Sequence, residues 1–176
     1  MKKAVILLVI VLSLVGVMTA SAKGVEDFYV DLGTLNNSGV TGTAHLHLEG
    51  DQLTVTINAS GLEPGKVHPQ HIHGAPTNKG NATCPTPAAD ANGDGFVDVG
   101  EGLPNYGPVL LNLLPFNTVA ADGTLNFQQT FTVDPKGLGP LQNRAMVLHG
   151  LTVNGTYVAS MPVACGQIRP LPDGPK

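Results

Sequence analysis

The sequence predicts an all-β domain, built as a sandwich or a barrel. Leu53, Val55 and Ile57 alternate with polar residues, which is the period of two expected of a half-buried strand. Turn signals rich in glycine and proline, such as residues 61 to 65 and 134 to 140, interrupt the apolar runs often. Many short strands separated by turns are typical of sandwiches and barrels. No convincing helical pattern appears beyond the amino-terminal segment.

Six segments of the chain carry strand patterns. In chain order they are residues 28 to 32, 44 to 48, 53 to 58, 127 to 133, 144 to 148 and 164 to 168. His45 and His47 occupy the polar positions of the second segment, so we expect them to face solvent. Residues 74 to 117 differ, because they are rich in Pro, Gly, Asn and Asp. They predict one long loop inserted in the β framework, which is usually functional or needs its own stabilising link.

The amino terminus predicts an exported protein. Lys2 and Lys3 precede an apolar run from 4 to 18, and Ala20-Ser21-Ala22 follows, which together are typical of a secretory signal peptide at 1 to 22. A retained membrane anchor is the alternative. We expect a single secreted or periplasmic domain at 23 to 176, without a membrane span after cleavage. The chain has 9 basic and 13 acidic residues and no basic patch, which argues against a nucleic-acid partner. No pattern indicates a protein partner or a homodimer.

The chain has two cysteines, Cys84 and Cys165. An even number of cysteines in an exported protein favours a disulfide, and two free thiols are the alternative. A disulfide here would close a loop of about 80 residues, which the loop-entropy model values at roughly 4 kcal/mol.

Residues 90 to 101, DANGDGFVDVGE, match the calcium-loop pattern D-x-[DN]-x-[DN]-G-x5-E at every fixed position. Calcium prefers six to eight hard oxygen ligands. The predicted ligands, the fourth of them through its backbone carbonyl, are Asp90, Asn92, Asp94, Phe96, Asp98 and Glu101. Gly95 allows the sharp turn, and Val97 is free to pack inward. Because neither flank reads as a good helix, we expect a structural calcium site, with a solvated acidic turn as the alternative.

Three histidines suggest a second metal site. His71 and His73 are two positions apart, so a strand places both imidazoles on one face, about 7 Å apart along the chain. Two such nitrogens can share one metal ion. The candidate for a third ligand is His149, at the end of the apolar segment 144 to 148.

Several segments resemble the copper/zinc superoxide dismutases and their degenerate relatives, in the order of that family. They are GTAHLHLEGDQLTVTINASGLEPG (42–65), HPQHIHG (68–74), VLHG (147–150) and ACGQI (164–168). The resemblance implies a Greek-key β-barrel or sandwich, with His71, His73 and His149 as copper ligands. It also implies that His68 fixes its loop through hydrogen bonds and that Cys84 and Cys165 form the intrachain disulfide.

The chain departs from that family at its catalytic centre. No histidine lies between His73 and His149, so the family's bridging histidine and zinc site are missing. Pro162 stands where the family has the arginine that attracts superoxide, and the acidic insert would repel an anion. We therefore expect a copper- or zinc-binding domain with a structural calcium site and little dismutase activity. A divergent copper-only dismutase is one alternative, and a non-enzymatic module like the chordin-type repeat, which HIHGAP also resembles, is another.

Overall fold

A computed structural model describes residues 24 to 75 and 80 to 171 of the chain. The predicted signal peptide, 1 to 22, lies outside these residues. In the described part an antiparallel sheet of nine strands curls into a half-barrel, which confirms the all-β prediction. The strands, in chain order, are β1 Val25–Thr34, β2 Thr41–Glu49, β3 Gln52–Ser60, β4 Gln70–His73, β5 Val109–Asn112, β6 Leu125–Thr132, β7 Ala145–Val153, β8 Thr156–Gln167 and β9 Arg169–Pro170.

The order of the strands in the sheet decides which side chains can meet. It runs β5, β4, β7, β8, β1, β2, β3 and β6, and β9 pairs with β1. Strands β4 and β7 are therefore neighbours, although more than seventy residues separate them in the chain. All six predicted strand segments lie in strands of this sheet or overlap them. Strand β5, within the predicted insert, was not predicted, because its four residues carry too short a pattern.

The alternating pattern of β2 and β3 places their apolar residues on the core side of the sheet. Leu46 pairs with Val55, and both side chains are fully buried. The intervening polar residues face outward, where His45 is exposed and His47 is half-buried. The expectation that these two histidines lie on the outer face is confirmed.

The predicted long loop at 74 to 117 is wrong in part, because the segment contains helix α1, Val99–Tyr106, and strand β5. The expectation of no helix beside the calcium loop is therefore also wrong. Asp98 accepts a hydrogen bond from the backbone N–H of Glu101, whose side chain accepts one from Asp98 in return. This reciprocal cap satisfies backbone donors at the helix start, and it outweighs the poor helix propensity of Gly100 and Pro104.

Helix content elsewhere in the described residues is small. It consists of α2, Pro135–Leu138, and two single 3₁₀ turns at Pro87–Ala89 and Leu141–Asn143. Helix α2 lies in a segment that the sequence predicts as a turn. Among residues 24 to 75 and 80 to 171, none of the helices has the length and apolar character to cross a membrane.

Candidate metal centre

Strands β4 and β7 bring His71, His73 and His149 together. The ring centroids lie 5.5 Å apart for His71 and His73, 5.0 Å for His71 and His149, and 5.7 Å for His73 and His149. One potential ligand atom from each histidine lies within 4.8 Å of the other two. Within the described ranges, this is the one group of three or more metal-ligating side chains that is gathered so closely.

Shifts in the pairing register of the strands help to orient the side chains of these histidines. The pairing of β4 with β5 shifts between Ile72 and His73, and the pairing of β7 with β8 shifts on both sides of His149. A β-bulge bends its strand and redirects the side chains next to it. The meeting of three rings therefore depends on bulges as well as on the i, i+2 spacing.

Backbone carbonyls from other segments orient two of the three rings. His73 donates from Nδ1 to the carbonyl of Gly107 at 2.8 Å, and His149 donates from Nδ1 to the carbonyl of Ser160 at 2.8 Å. A carbonyl can only accept, so in each neutral ring Nδ1 carries the proton and Nε2 carries the lone pair. Both Nε2 atoms are buried without a hydrogen-bond partner, as is Nδ1 of His71.

The same burial keeps these imidazoles neutral. Burial lowers the pKa of His149 to about 3, although its hydrogen bond to Ser160 opposes the shift and the charges of the other two histidines add to it. Burial, and then the charge of His73, lowers the pKa of His71 to about 4. The pKa of His73 is lowered by burial and partly restored by its bond to Gly107. Near pH 7 all three rings are thus neutral, and each has one nitrogen with a lone pair.

Two aromatic residues of the insert cover the histidines. Tyr106, at the end of α1, places its ring edge-on to His73 with centroids 4.7 Å apart. Phe116 meets His71 in the same manner at 5.4 Å. Sequence reasoning missed both residues, and the only signal for them is the presence of aromatic residues in a segment otherwise rich in Pro, Gly and Asn. Tyr106 is fully buried and donates its hydroxyl proton to the carbonyl of Val99 at 3.2 Å.

His68 lies beside the cluster but does not join it. Its Nδ1 is 2.9 Å from the carbonyl oxygen of His149, and its Nε2 is 3.1 Å from that of Glu63. The ring therefore links the turn after β3 to strand β7, which is the anchoring role that the family resemblance implies. Gly150 follows His149 with a φ of +113°, and an added Cβ there would lie 2.8 Å from His68 Nδ1. A larger residue after His149 would displace this anchor.

The acidic loop at 90 to 101 closes on itself. Glu101 Oε1 accepts from the backbone N–H groups of Ala91 and Asn92 at 2.9 and 3.1 Å. Asp90 accepts from the N–H groups of Gly93 and Gly95 at 2.7 and 2.9 Å. Gly95 has a φ of +90°, as the predicted sharp turn requires. The ligand atoms of the acidic loop do not lie as close to one another as those of the three histidines. The side-chain oxygens of the loop accept hydrogen bonds from the surrounding backbone instead.

Val97, which the sequence leaves free to pack inward, attaches the acidic loop to the rest of the domain through Asn36. Val97 is buried, and the Asn36 side chain bonds to its N–H at 2.7 Å and to its carbonyl at 3.0 Å. The same amide of Asn36 donates to the carbonyl of Pro162 at 2.9 Å. The loop is thereby attached to strand β8, whose register places Pro162 opposite His149.

The disulfide between Cys84 and Cys165 is present, so the free-thiol alternative is wrong. It joins the start of the insert to strand β8, where Cys165 pairs with Val147. Cys165, Val147 and Tyr106 belong to one small buried cluster, separate from the main core. The disulfide therefore fastens the insert beside the ring that packs on His73.

Comparison of the chain with protein-family models and with curated proteins gives no significant match in either case.

Proposed function

We propose that this protein is an exported, superoxide dismutase-like β domain that holds one copper or zinc ion at His71, His73 and His149. The observation that carries this proposal is the convergence of three buried, unpartnered imidazole nitrogens. Such nitrogens lose hydration without gaining a partner, which is costly unless a ligand takes that role. The Greek-key topology of the dismutase family is part of the proposal, and the antiparallel half-barrel is compatible with it.

The donor set suits a transition metal of the copper and zinc class. Neutral imidazole is a preferred ligand of both ions, and three histidines leave a fourth position open. The carbonyl partners of His73 and His149 act as the outer hydrogen bonds that fix a ligating ring and its tautomer. When bound, the ion would supply an electrophilic centre with room for water or a small anion. The protein's contribution is to orient the rings and to keep them unprotonated.

We further propose that dismutase activity is low or absent. The chain offers no histidine between His73 and His149 to bridge a second metal. Pro162, opposite His149 in the sheet, brings no positive charge to attract superoxide. The acidic loop is attached to the carbonyl of this same proline through Asn36, so its negative charge opposes the entry of an anion.

A structural calcium site at residues 90 to 101 is the second part of the proposed function. It is supported by the complete motif and by Glu101, which folds back onto the first residues of the loop. Calcium would replace loop hydrogen bonds to the carboxylates with direct ligation. Export is supported by the disulfide, because such bonds persist in oxidising compartments.

The test of the histidine site is metal content in protein secreted with its own signal peptide. We expect His149→Ala and His71→Asn each to lose one equivalent of copper or zinc relative to the wild type. Asn112→Ala is the matched control, because Asn112 lies opposite His71 on β5 and leaves all three ring nitrogens intact. Circular dichroism shows whether each variant keeps its fold. Because His71 is only half-buried, His71→Asn is expected to disturb the fold less than His149→Ala.

Two results would contradict the proposed function, and each would favour one of the alternatives. If both histidine variants retain as much metal as the wild type after loading, the three-histidine site is wrong and the non-enzymatic interaction module is favoured. If the copper-loaded wild type consumes superoxide rapidly, and His71→Asn abolishes this, the protein is a copper-only dismutase.

A further inference from the structure

A second group of potential metal ligands lies on the outer face of strands β1 and β2. Asp27 pairs directly with His47, and His45 precedes His47 by two positions on the same strand. Side chains two residues apart on a strand point to the same face. All three side chains are accessible, with exposed fractions of 38% for Asp27, 49% for His45 and 41% for His47.

The two imidazoles converge on a single carboxylate oxygen. Nδ1 of His47 lies 2.8 Å from Oδ1 of Asp27, and Nε2 of His45 lies 3.2 Å from the same oxygen. The nitrogen nearest this oxygen is Nδ1 in His47 and Nε2 in His45. The contact of His47 with Asp27 is a hydrogen bond, and His45 Nε2 lies close to the same oxygen without hydrogen-bond geometry.

We propose that Asp27, His45 and His47 form a surface site for a divalent transition-metal ion of the zinc class. Zinc binds imidazole nitrogen and carboxylate oxygen at 2.0 to 2.2 Å, so two ligands of a tetrahedral ion lie about 3.3 Å apart. The two nitrogen–oxygen distances are already close to that separation, whereas the three ligand atoms together are not gathered as closely as those of the buried histidines. A metal ion would replace the hydrogen bond between His47 and Asp27, rotation of the two half-exposed rings would bring both nitrogens to the ion, and water would take the remaining positions.

This site is independent of the buried cluster. It shares no residue with His71, His73 and His149, and it is carried by β1 and β2 instead of β4 and β7. It also differs in kind, because solvent reaches all of its ligands and both rings contact a carboxylate instead of a backbone carbonyl. We therefore expect faster metal exchange and weaker binding here than at the buried histidines.

The test is zinc titration by calorimetry combined with measured stoichiometry, at pH 7.5 in calcium-containing buffer. The double variant His45→Gln/His47→Gln is expected to bind one equivalent of zinc fewer than the wild type. Asp27→Asn is expected to weaken that equivalent by tenfold or more, since loss of even an outer partner of a ligand costs about 10- to 100-fold. Asp31→Asn, on the same face of β1 but outside the cluster, is the charge-matched control.

The proposal is overturned if the double variant binds as many zinc ions as the wild type with the same affinities. Nitrogen-15 spectra of the histidine rings give a second readout, because zinc should shift Nδ1 of His47 and Nε2 of His45. Failure of this site is distinguishable from failure of the buried site, because His71→Asn alters only the latter.

Discussion

In His73 and His149, the hydrogen bond of one ring nitrogen determines whether the other nitrogen can bind a metal ion. At His73 and His149, Nδ1 is held by a carbonyl, so Nε2 is left with a lone pair directed at the other histidines. The i, i+2 spacing of His71 and His73 was readable from the sequence, since strand geometry alone puts both on one face. The tautomers of His73 and His149 could not be predicted from the sequence. Their hydrogen-bond partners, Gly107 and Ser160, come close to the two rings only when the sheet has folded.

The lowered pKa values of the histidines predict an acid-sensitive metal-free protein. Above pH 6.5 these rings are neutral in both the native and unfolded states. Between pH 6.5 and about 3 the unfolded chain binds protons that native His149 does not, so the free energy of unfolding falls as the pH falls. Each such histidine contributes at most about 1.4 kcal/mol per pH unit. Urea unfolding at several pH values, after chelation, should show this slope.

His149→Gln is expected to reduce that slope, and Asn112→Ala is expected to leave it unchanged. A metal-free wild type that is equally stable at pH 7 and pH 4.5 would contradict the assignment of neutral, buried rings.

At the scale of elements, helix α1 connects the acidic loop to the histidine cluster. Glu101 is both the last residue of the loop and the third residue of the helix, and Tyr106 at the other end packs on His73. Burial and the charge of Asp98 raise the pKa of Tyr106 to about 12, so its hydroxyl stays protonated. The calcium motif ends at Glu101 in the sequence, and its binding of an ion stays a prediction. The motif did not reveal the helix, because Gly100, Gly102 and Pro104 all have low helix propensity.

Calcium is expected to stabilise the native protein through this element. With a dissociation constant of about 10⁻³ M, 10 mM calcium adds roughly 1.4 kcal/mol to the free energy of unfolding. Glu101→Gln should abolish most of this increment, because it removes the charged bidentate ligand while keeping an oxygen that can cap α1. Thermal unfolding with calcium, and with chelator, measures the difference.

The control is Glu49→Gln, which removes the charge of an exposed residue on β2. This variant should respond to calcium as the wild type does. An unchanged melting temperature of the wild type in calcium and in chelator would show that the loop is only a solvated acidic turn.

For the whole molecule, the disulfide is the covalent link between the insert and the sheet. Cys84 and Cys165 are 81 residues apart in the chain, so their bond restricts the unfolded state strongly. We expect Cys84→Ala/Cys165→Ala to lower the free energy of unfolding by roughly 4 kcal/mol. The double variant should also bind copper or zinc more weakly, since Tyr106 packs in the same cluster as Cys165.

Urea unfolding and metal competition measure these two effects separately. Ser38→Ala, in the β1–β2 connection, is a control that removes hydrogen bonds near β8 without releasing the insert. Equal metal affinity in the double variant and the wild type would show that the insert keeps its place without the disulfide.

The sequence by itself determined the alternating core pattern, the shared face of His71 and His73, and the position of the calcium motif. These features depend on residues close together in the chain, whose relative directions are set by strand geometry or by a short loop. The tertiary structure alone decided that Tyr106 and Phe116 cover the histidines and that Pro162 lies opposite His149. Those contacts join remote segments, and they are fixed by sheet order, by bulges and by the disulfide.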